Sequence, residues 1–399
     1  MAQSPSEFSF TYRGCDIEYG RDRLGDLGSI LAEHGLERAL VVCGSNVGAN
    51  DELMDPIRAG LGDRLAGVFD GTTPAKRVGT AFEVVEAMEE TDADVLVGVG
   101  GGSSLDIARQ ATALADDGRT LAEIESAAHE GTLEGLDDAE PVVPTVVIPT
   151  TFAGADVSSG GSLVVLTAEE SPSGQPITIG CDAMPIANVA DPAAFETSPL
   201  SVLEGSAMNG FDKGIENLYA REGTPFSDAT SIHGIEHLRT SLPKLSEDDP
   251  VAYDRAVLGI LLVQYERRAS VIHAFGHAFS RRYPVQQGHV HGVMAPHALR
   301  YVLEKVPSVR WKVAQAFGVD PDSEELIDDV VAEVTRVRDG MDIPQRAGEL
   351  EGSDPRSPPP LIPSPVIISR EVRTTVLSTE SVRFVVKLPP PLRPSPVLI

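Results

Sequence analysis

Short apolar runs that end at a turn signal, with helical stretches between them, limit this chain more than any other feature. "RALVVCG" (38–44), "ADVLVGVG" (93–100) and "VVPTVVIPTT" (142–151) each predict a buried strand. Between them, "RVGTAFEVVEAMEE" (77–90) spaces its apolar residues as a helix does. Strands separated by helices predict a parallel sheet with helices on its faces. From about residue 197 the strand pattern vanishes. "DRAVLGILLVQYERRASVIHAFGHAF" (254–279) predicts one long helix, and residues 197–345 predict an all-helical region. A length of 399 residues accommodates two such domains. The expected organisation is an α/β domain over 1–196 and a helical domain over 197–350, with a ligand-binding cleft between them.

The chain carries 60 acids against 32 lysines and arginines, a net charge of -28. That balance repels nucleic acid and anionic membranes, so neither is an expected partner. The acids are spread through foldable sequence instead of lying in one block. This pattern suits a protein kept soluble in high salt. No apolar run reaches membrane-spanning length, and the first residues lack a basic-plus-apolar signal, so cytoplasm is the expected compartment. Cys15, Cys43 and Cys181 are too scattered for a disulfide framework or a thiolate metal site.

Three segments carry candidate chemistry. In "VGVGGGSSLDIAR" (97–109) a strand runs into Gly100, Gly101, Gly102 and Ser103 as a helix begins. Glycines let backbone N–H groups approach a phosphate at a helix N-terminus, with Asp106 expected in the first turn. A tight turn without ligand is the alternative for such a cluster. In "IPTTFAGADVSSGG" (148–161), Thr150 and Thr151 follow a strand end, where hydroxyls meet cofactors in parallel sheets or simply form a turn. In "MNGFDKGIENLYA" (208–220), Asp212 and Glu216 share one helix face. Such pairs are usually solvated.

Five of the nine histidines fall between His273 and His297. His273 and His277 are one helical turn apart among apolar neighbours, and His289 and His291 follow in "GHVHG". Imidazole with carboxylate is a ligand set for Zn²⁺ or Fe²⁺. Asp212, His273 and His291 would supply three ligands and leave a position open for substrate.

Jointly these segments resemble the iron-containing alcohol dehydrogenases and the related glycerol dehydrogenases, here a haloarchaeal-type member, over about residues 10–345. "GGGSSLD" is similar to the family's pyrophosphate loop, and "PTTFAGAD" stands where the family has its threonine-rich nicotinamide segment. "DPAAFETSP" (191–199) resembles the link into the helical domain. "GFDKGIE" matches the helix of the metal aspartate, and "HAFGHAFS" with "HGVMAPHALRY" matches the histidine signature. The resemblance implies a Rossmann-like N-terminal domain, an all-helical C-terminal domain, NAD or NADP, and one divalent metal, Fe²⁺ or Zn²⁺. It implies a small alcohol or carbonyl substrate, and a homo-oligomer is expected. Cofactor contacts are expected from Gly44, Ser45, Asn46, Gly100, Gly101, Gly102, Ser103, Asp106, Thr150 and Thr151.

The chain departs from the iron branch in two places. Glu216 stands where that branch has a histidine four residues after the aspartate. His273 and His291 are 18 residues apart, wider than in that branch and more like the glycerol dehydrogenases. The site therefore has either three ligands or Glu216 as a fourth. An alternative alignment uses His277 as the ligand instead of His273, but "HAFGH" resembles the family's paired histidines, which implies that His273 binds metal and His277 faces the nicotinamide and relays a proton. Asp156 is placed near the substrate by the same likeness. The implied reaction is hydride transfer between an alcohol or polyol and its aldehyde or ketone. A lyase like dehydroquinate synthase is an alternative that would need a basic cluster, with Arg281, Arg282 and Arg300 its only candidates. A catalytically impaired member is the other. Gly44, Ser45 and Asn46 offer nothing that repels a 2′-phosphate, so NADP is expected to be accepted.

Residues 351–399 hold four acids, six bases and 11 prolines, whereas the 350 before them hold 56 acids and 26 bases. The acidic bias stops there, and so does the helical pattern. A proline-rich tail would favour polyproline II. The loss of acidity points instead to a frameshifted tail, disordered and lacking native final helices. Limited proteolysis is expected to remove the segment after about residue 350 readily; a protease-resistant tail would refute this.

Overall fold

The computed structural model describes residues 14–136, 139–221, 223–247, 249–265, 270–280, 283 and 285–350. The frameshifted-tail expectation falls on 351–399 and lies outside the described residues.

The strongest apolar runs become the central strands. β1 (Asp16–Tyr19), β2 (Ala39–Val42), β3 (Leu65–Phe69), β4 (Val95–Gly100), β5 (Thr145–Pro149) and β8 (Ala187–Ala190) form one sheet in the order β1-β8-β5-β4-β2-β3. Every neighbouring pair in it runs parallel. β6 (Leu163–Leu166) and β7 (Ile177–Ile179) make a separate antiparallel pair. Strands β2, β4 and β5 are buried along their whole length. That is why they read as continuous apolar runs and not as alternating ones. Leu40 and Val42 face one helix layer, where the helix Val78–Glu90 packs. Val41, Val97 and Val146 face the other, built on the helices Leu27–Glu33 and Asp51–Leu61.

After β8, the described residues contain helices and no strand. The helix Leu200–Tyr219 is their axis, with 14 of its 20 residues buried. Around it stand the helices Pro225–Ser241, Pro250–Gln264, Val271–Ser280 and Gln287–Lys305. The single helix expected over 254–279 is two, one ending at Gln264 and one starting at Val271. The cause is a buried carboxylate. Glu216 accepts the backbone N–H groups of Ser270 and Ile272 at 2.7 and 2.6 Å, which caps a new N-terminus there. No helix among the described residues is long and apolar enough to cross a membrane.

Phe211 anchors this core. It is fully buried and meets Phe317 edge to face at 5.9 Å between ring centroids. Phe211→Ala is expected to lower stability by about 3–5 kcal/mol. Denaturant unfolding checks it, and a loss below about 1 kcal/mol would contradict this packing.

Candidate active site

Strands β2 and β4 are neighbours although β3 lies between them in the chain. The chain leaves β2 toward one edge of the sheet and β4 toward the other. A crevice opens outside the carboxyl ends of strands at such a switch point. Gly44, Ser45 and Asn46 follow β2, with Gly44 capping the short helix Ser45–Gly48. Gly100 closes β4 at φ +129°, a conformation that favours glycine. Gly101 then caps the helix Gly102–Asp117, which carries Ser103 and Asp106. From the adjacent β5, Thr150 donates its N–H to the Gly100 carbonyl at 3.0 Å, and Thr151 packs against Gly101. The expected cofactor residues thus share one edge of the sheet.

Asp106 differs from expectation. It is the fifth residue of its helix, past the first turn. Its carboxylate is held by Lys76 at 2.8 Å and by Arg109 at 2.5 Å. Fully buried Arg109 also donates to the carbonyls of Ser158 and Gly160. Asp106 and Arg109 therefore pin the 158–160 loop to the glycine-loop helix.

The second cluster is in the helical half. Asp212 projects from the helix Leu200–Tyr219, His273 from Val271–Ser280 and His291 from Gln287–Lys305; all three are buried. The rings of His273 and His291 meet edge to face, 4.5 Å apart. Among the described residues, no three His, Cys, Asp or Glu side chains converge as ready metal ligands. The groups pair instead. His291 Nδ1 lies 3.4 Å from Asp212 Oδ2, and His273 Nδ1 lies 2.6 Å from Glu216 Oε2. Both Asp212 oxygens and both His291 ring nitrogens are buried and make no hydrogen bond among the described residues. Buried polar atoms are rarely left so. A bound cation would satisfy them, so the donor set fits a metal in its chemistry.

Glu216 has its oxygens engaged. Oε1 accepts from Ile272 N, from His273 N at 3.4 Å and from the Tyr219 hydroxyl at 3.1 Å. Oε2 accepts from Ser270 N and faces the His273 ring.

Burial pushes the Asp212 carboxyl well above the usual range, and the Glu216 carboxylate adds to the rise. Burial also raises Glu216, against the backbone N–H groups that lower it. Burial lowers His291 to about 4, so its ring is neutral near pH 7.

Side chains of the helical half grip the loop after β5. Ser206 Oγ accepts from Phe152 N at 3.1 Å. Lys213 Nζ donates to the carbonyls of Ala153 and Gly154. Gln264 Oε1 accepts from Val157 N at 3.3 Å. The cofactor-edge loop and the Asp212 helix are thereby stitched together.

A model of iron-containing alcohol dehydrogenases matches residues 15–192, and one of the C-terminal part of Fe-containing alcohol dehydrogenases matches 205–352. The chain belongs to the iron-containing alcohol dehydrogenase family. It is 27% identical over 296 residues to an NAD-dependent methanol dehydrogenase of Bacillus methanolicus, covering 71% of this chain and 73% of that protein. It is 25% identical to maleylacetate reductase 1 of Cupriavidus pinatubonensis, covering 74% of this chain and 75% of that one. An alcohol dehydrogenase structure from Oenococcus oeni superposes with a TM-score of 0.72 at 18% identity, over 84% of this chain and 88% of the other. The fold is therefore that of the family, and the chain is an oxidoreductase of the alcohol–carbonyl pair.

Within this family fold, His277 lies one turn beyond His273 and is exposed. Asp156 is buried and accepts from Asn188 Nδ2 of β8 at 2.8 Å, so its hydrogen bond turns to the sheet. Arg300 pairs with Asp328 at 2.6 Å in an exposed position, which ties up one cation of the lyase alternative. Arg281 and Arg282 lie outside the described residues. Reasoning from sequence missed Lys76, Arg109, Ser206, Lys213 and Gln264. A lysine beside the metal-type aspartate in "FDKGIE" was the one visible signal.

His291 owes its place to a glycine. A Cβ on Gly276 would lie 2.0 Å from His291 Nε2. Gly276→Ala is therefore expected to displace the His291 ring and reduce bound metal and turnover by at least tenfold. Metal analysis beside steady-state rates checks it; unchanged metal content would contradict this placement.

Proposed function

We propose that this enzyme interconverts a small alcohol or polyol and its aldehyde or ketone, using NAD or NADP and one divalent metal held by Asp212, His273 and His291. The observation that carries the reading is the set of buried, unsatisfied donor atoms on Asp212 and His291, in the same fold as a glycine-loop crevice. Fe²⁺ and Zn²⁺ both accept these ligand types. When bound, such an ion supplies a Lewis acid that lowers the pKa of an alcohol hydroxyl.

The chain's own residues do the rest. Gly44–Asn46, Gly100–Ser103, Thr150 and Thr151 hold the dinucleotide along the carboxyl edge of the sheet. No carboxylate stands at 44–46 to repel a 2′-phosphate, which supports use of NADP. Glu216 acts behind the ligands and is not a fourth one. It takes the His273 Nδ1 hydrogen and so leaves Nε2 as the ring atom with the lone pair. His277, exposed one turn on, passes the alcohol proton to solvent. Asp156 is assigned to packing against β8 and not to substrate. The acid-rich composition supports a cytoplasmic, salt-adapted enzyme, and we extend the reading to a homo-oligomer.

Metal loading has a definite pH sign. Burial raises the Asp212 carboxyl, so protons compete with a cation for it to higher pH than at an ordinary carboxylate. Apparent affinity is therefore expected to rise with pH, whereas His291, neutral above about pH 4, competes little. The test follows nicotinamide absorbance with a panel of alcohols and aldehydes, using NAD and NADP, and measures metal content across pH in parallel. The wild type is expected to turn over and to load better at higher pH. Asp212→Asn is expected to lose activity and to flatten the pH dependence of what metal it still binds. Full activity with no metal bound would overturn the reading.

A further inference from the structure

A second pair of imidazoles stands outside the site described above. His233 and His237 are one turn apart on the helix Pro225–Ser241. His233 is exposed and His237 half-buried. Their Nε2 atoms face each other at 3.2 Å, with the rings nearly perpendicular at 78°. In the neutral state one of these atoms lends the other its hydrogen. Two imidazole nitrogens bound to a single ion at about 2.0–2.1 Å, with an angle near 100° between them, are separated by the same distance. The helix backbone thus already sets the bite of a chelate.

We propose that His233 and His237 form a second divalent transition-metal site, binding Zn²⁺, Ni²⁺ or Cu²⁺ through both Nε2 atoms, with water completing the coordination. Zn²⁺, Ni²⁺ and Cu²⁺ are the ions that imidazole suits. Glu236 places a carboxylate oxygen 3.9 Å from His233 Nδ1, too far for a hydrogen bond but close enough to favour positive charge beside that ring. Arg255 is a positive charge near His237 that disfavours a cation there, set against a chain of net charge -28. His237 Nδ1 is buried with no hydrogen-bond partner among the described residues, so its one hydrogen bond there is the one to His233 through Nε2. Closing the chelate joins two successive turns of the helix, so bound metal stiffens it.

The experiment uses the untagged full chain with its active-site metal already loaded. Calorimetric titration with Ni²⁺, then Zn²⁺, is expected to show one further ion per chain. That event disappears in the double variant His233→Gln/His237→Gln and weakens about tenfold or more in either single variant, because the second ligand binds intramolecularly. Alcohol turnover stays unchanged in the double variant, which also reports that it folds. Should the double variant not fold, Cu²⁺ bound to the wild type is read by electron paramagnetic resonance. Two imidazole nitrogens are expected, and one in His237→Gln. The same extra ion in the double variant, no extra ion in the wild type, or a Cu²⁺ spectrum without two imidazole nitrogens overturns the proposal.

Discussion

The placing of His273 in the helical half depends on one buried carboxylate. Glu216 gathers three backbone N–H groups, the Tyr219 hydroxyl and the His273 ring. Burying an unpaired charge is expensive, and removing one partner leaves the rest unsatisfied. The chain can place Glu216 there only if Ser270, Ile272 and His273 all turn toward it. That requirement starts a new helix at Val271 and aims His273 inward. Hydrogen bonding, not hydrophobicity, thus decides where the metal-type histidine stands.

The parallel sheet was legible because its central strands are buried on both faces and so show as unbroken apolar runs. β1, β3 and β8 were not: "DIEY", "LAGVF" and "ANVA" are short and, unlike the equally short "ALVV", are broken by polar or small residues. The candidate site was legible as a set of residue types: glycines after a strand, a carboxylate and imidazoles at helical spacing. It was illegible where function is a matter of partners. Nothing in "VIHAFGHAF" marks a helix start, because the cap comes from a residue more than fifty positions earlier. Arg109 reads as an ordinary helix residue until Asp106 and two loop carbonyls close around it. Glu216, weighed from sequence as a fourth ligand, proves to be fully engaged with other donors.

The two candidate metal environments show what burial does to the same side chain. His291 is enclosed, and its ring is kept neutral by the loss of water around it. His233, more than half exposed, keeps its solvent and depends on a neighbour for any chelation. The family likeness accounts for the first environment. The second arises from an i,i+4 coincidence that the helix alone makes into a bite.

The loop after β5 is fastened on both sides: Thr150 to Gly100 of the sheet, and Phe152, Ala153, Gly154 and Val157 to Ser206, Lys213 and Gln264 of the helices. For anyone recombining this enzyme with a relative, a cut placed in the linker would divide matched pairs. A sheet half moved onto foreign helices keeps its four anchor points only where those helices carry the same three side chains. Positions 206, 213 and 264 have to travel with residues 150–157, so the natural module of exchange is not the stretch of sequence but the seam.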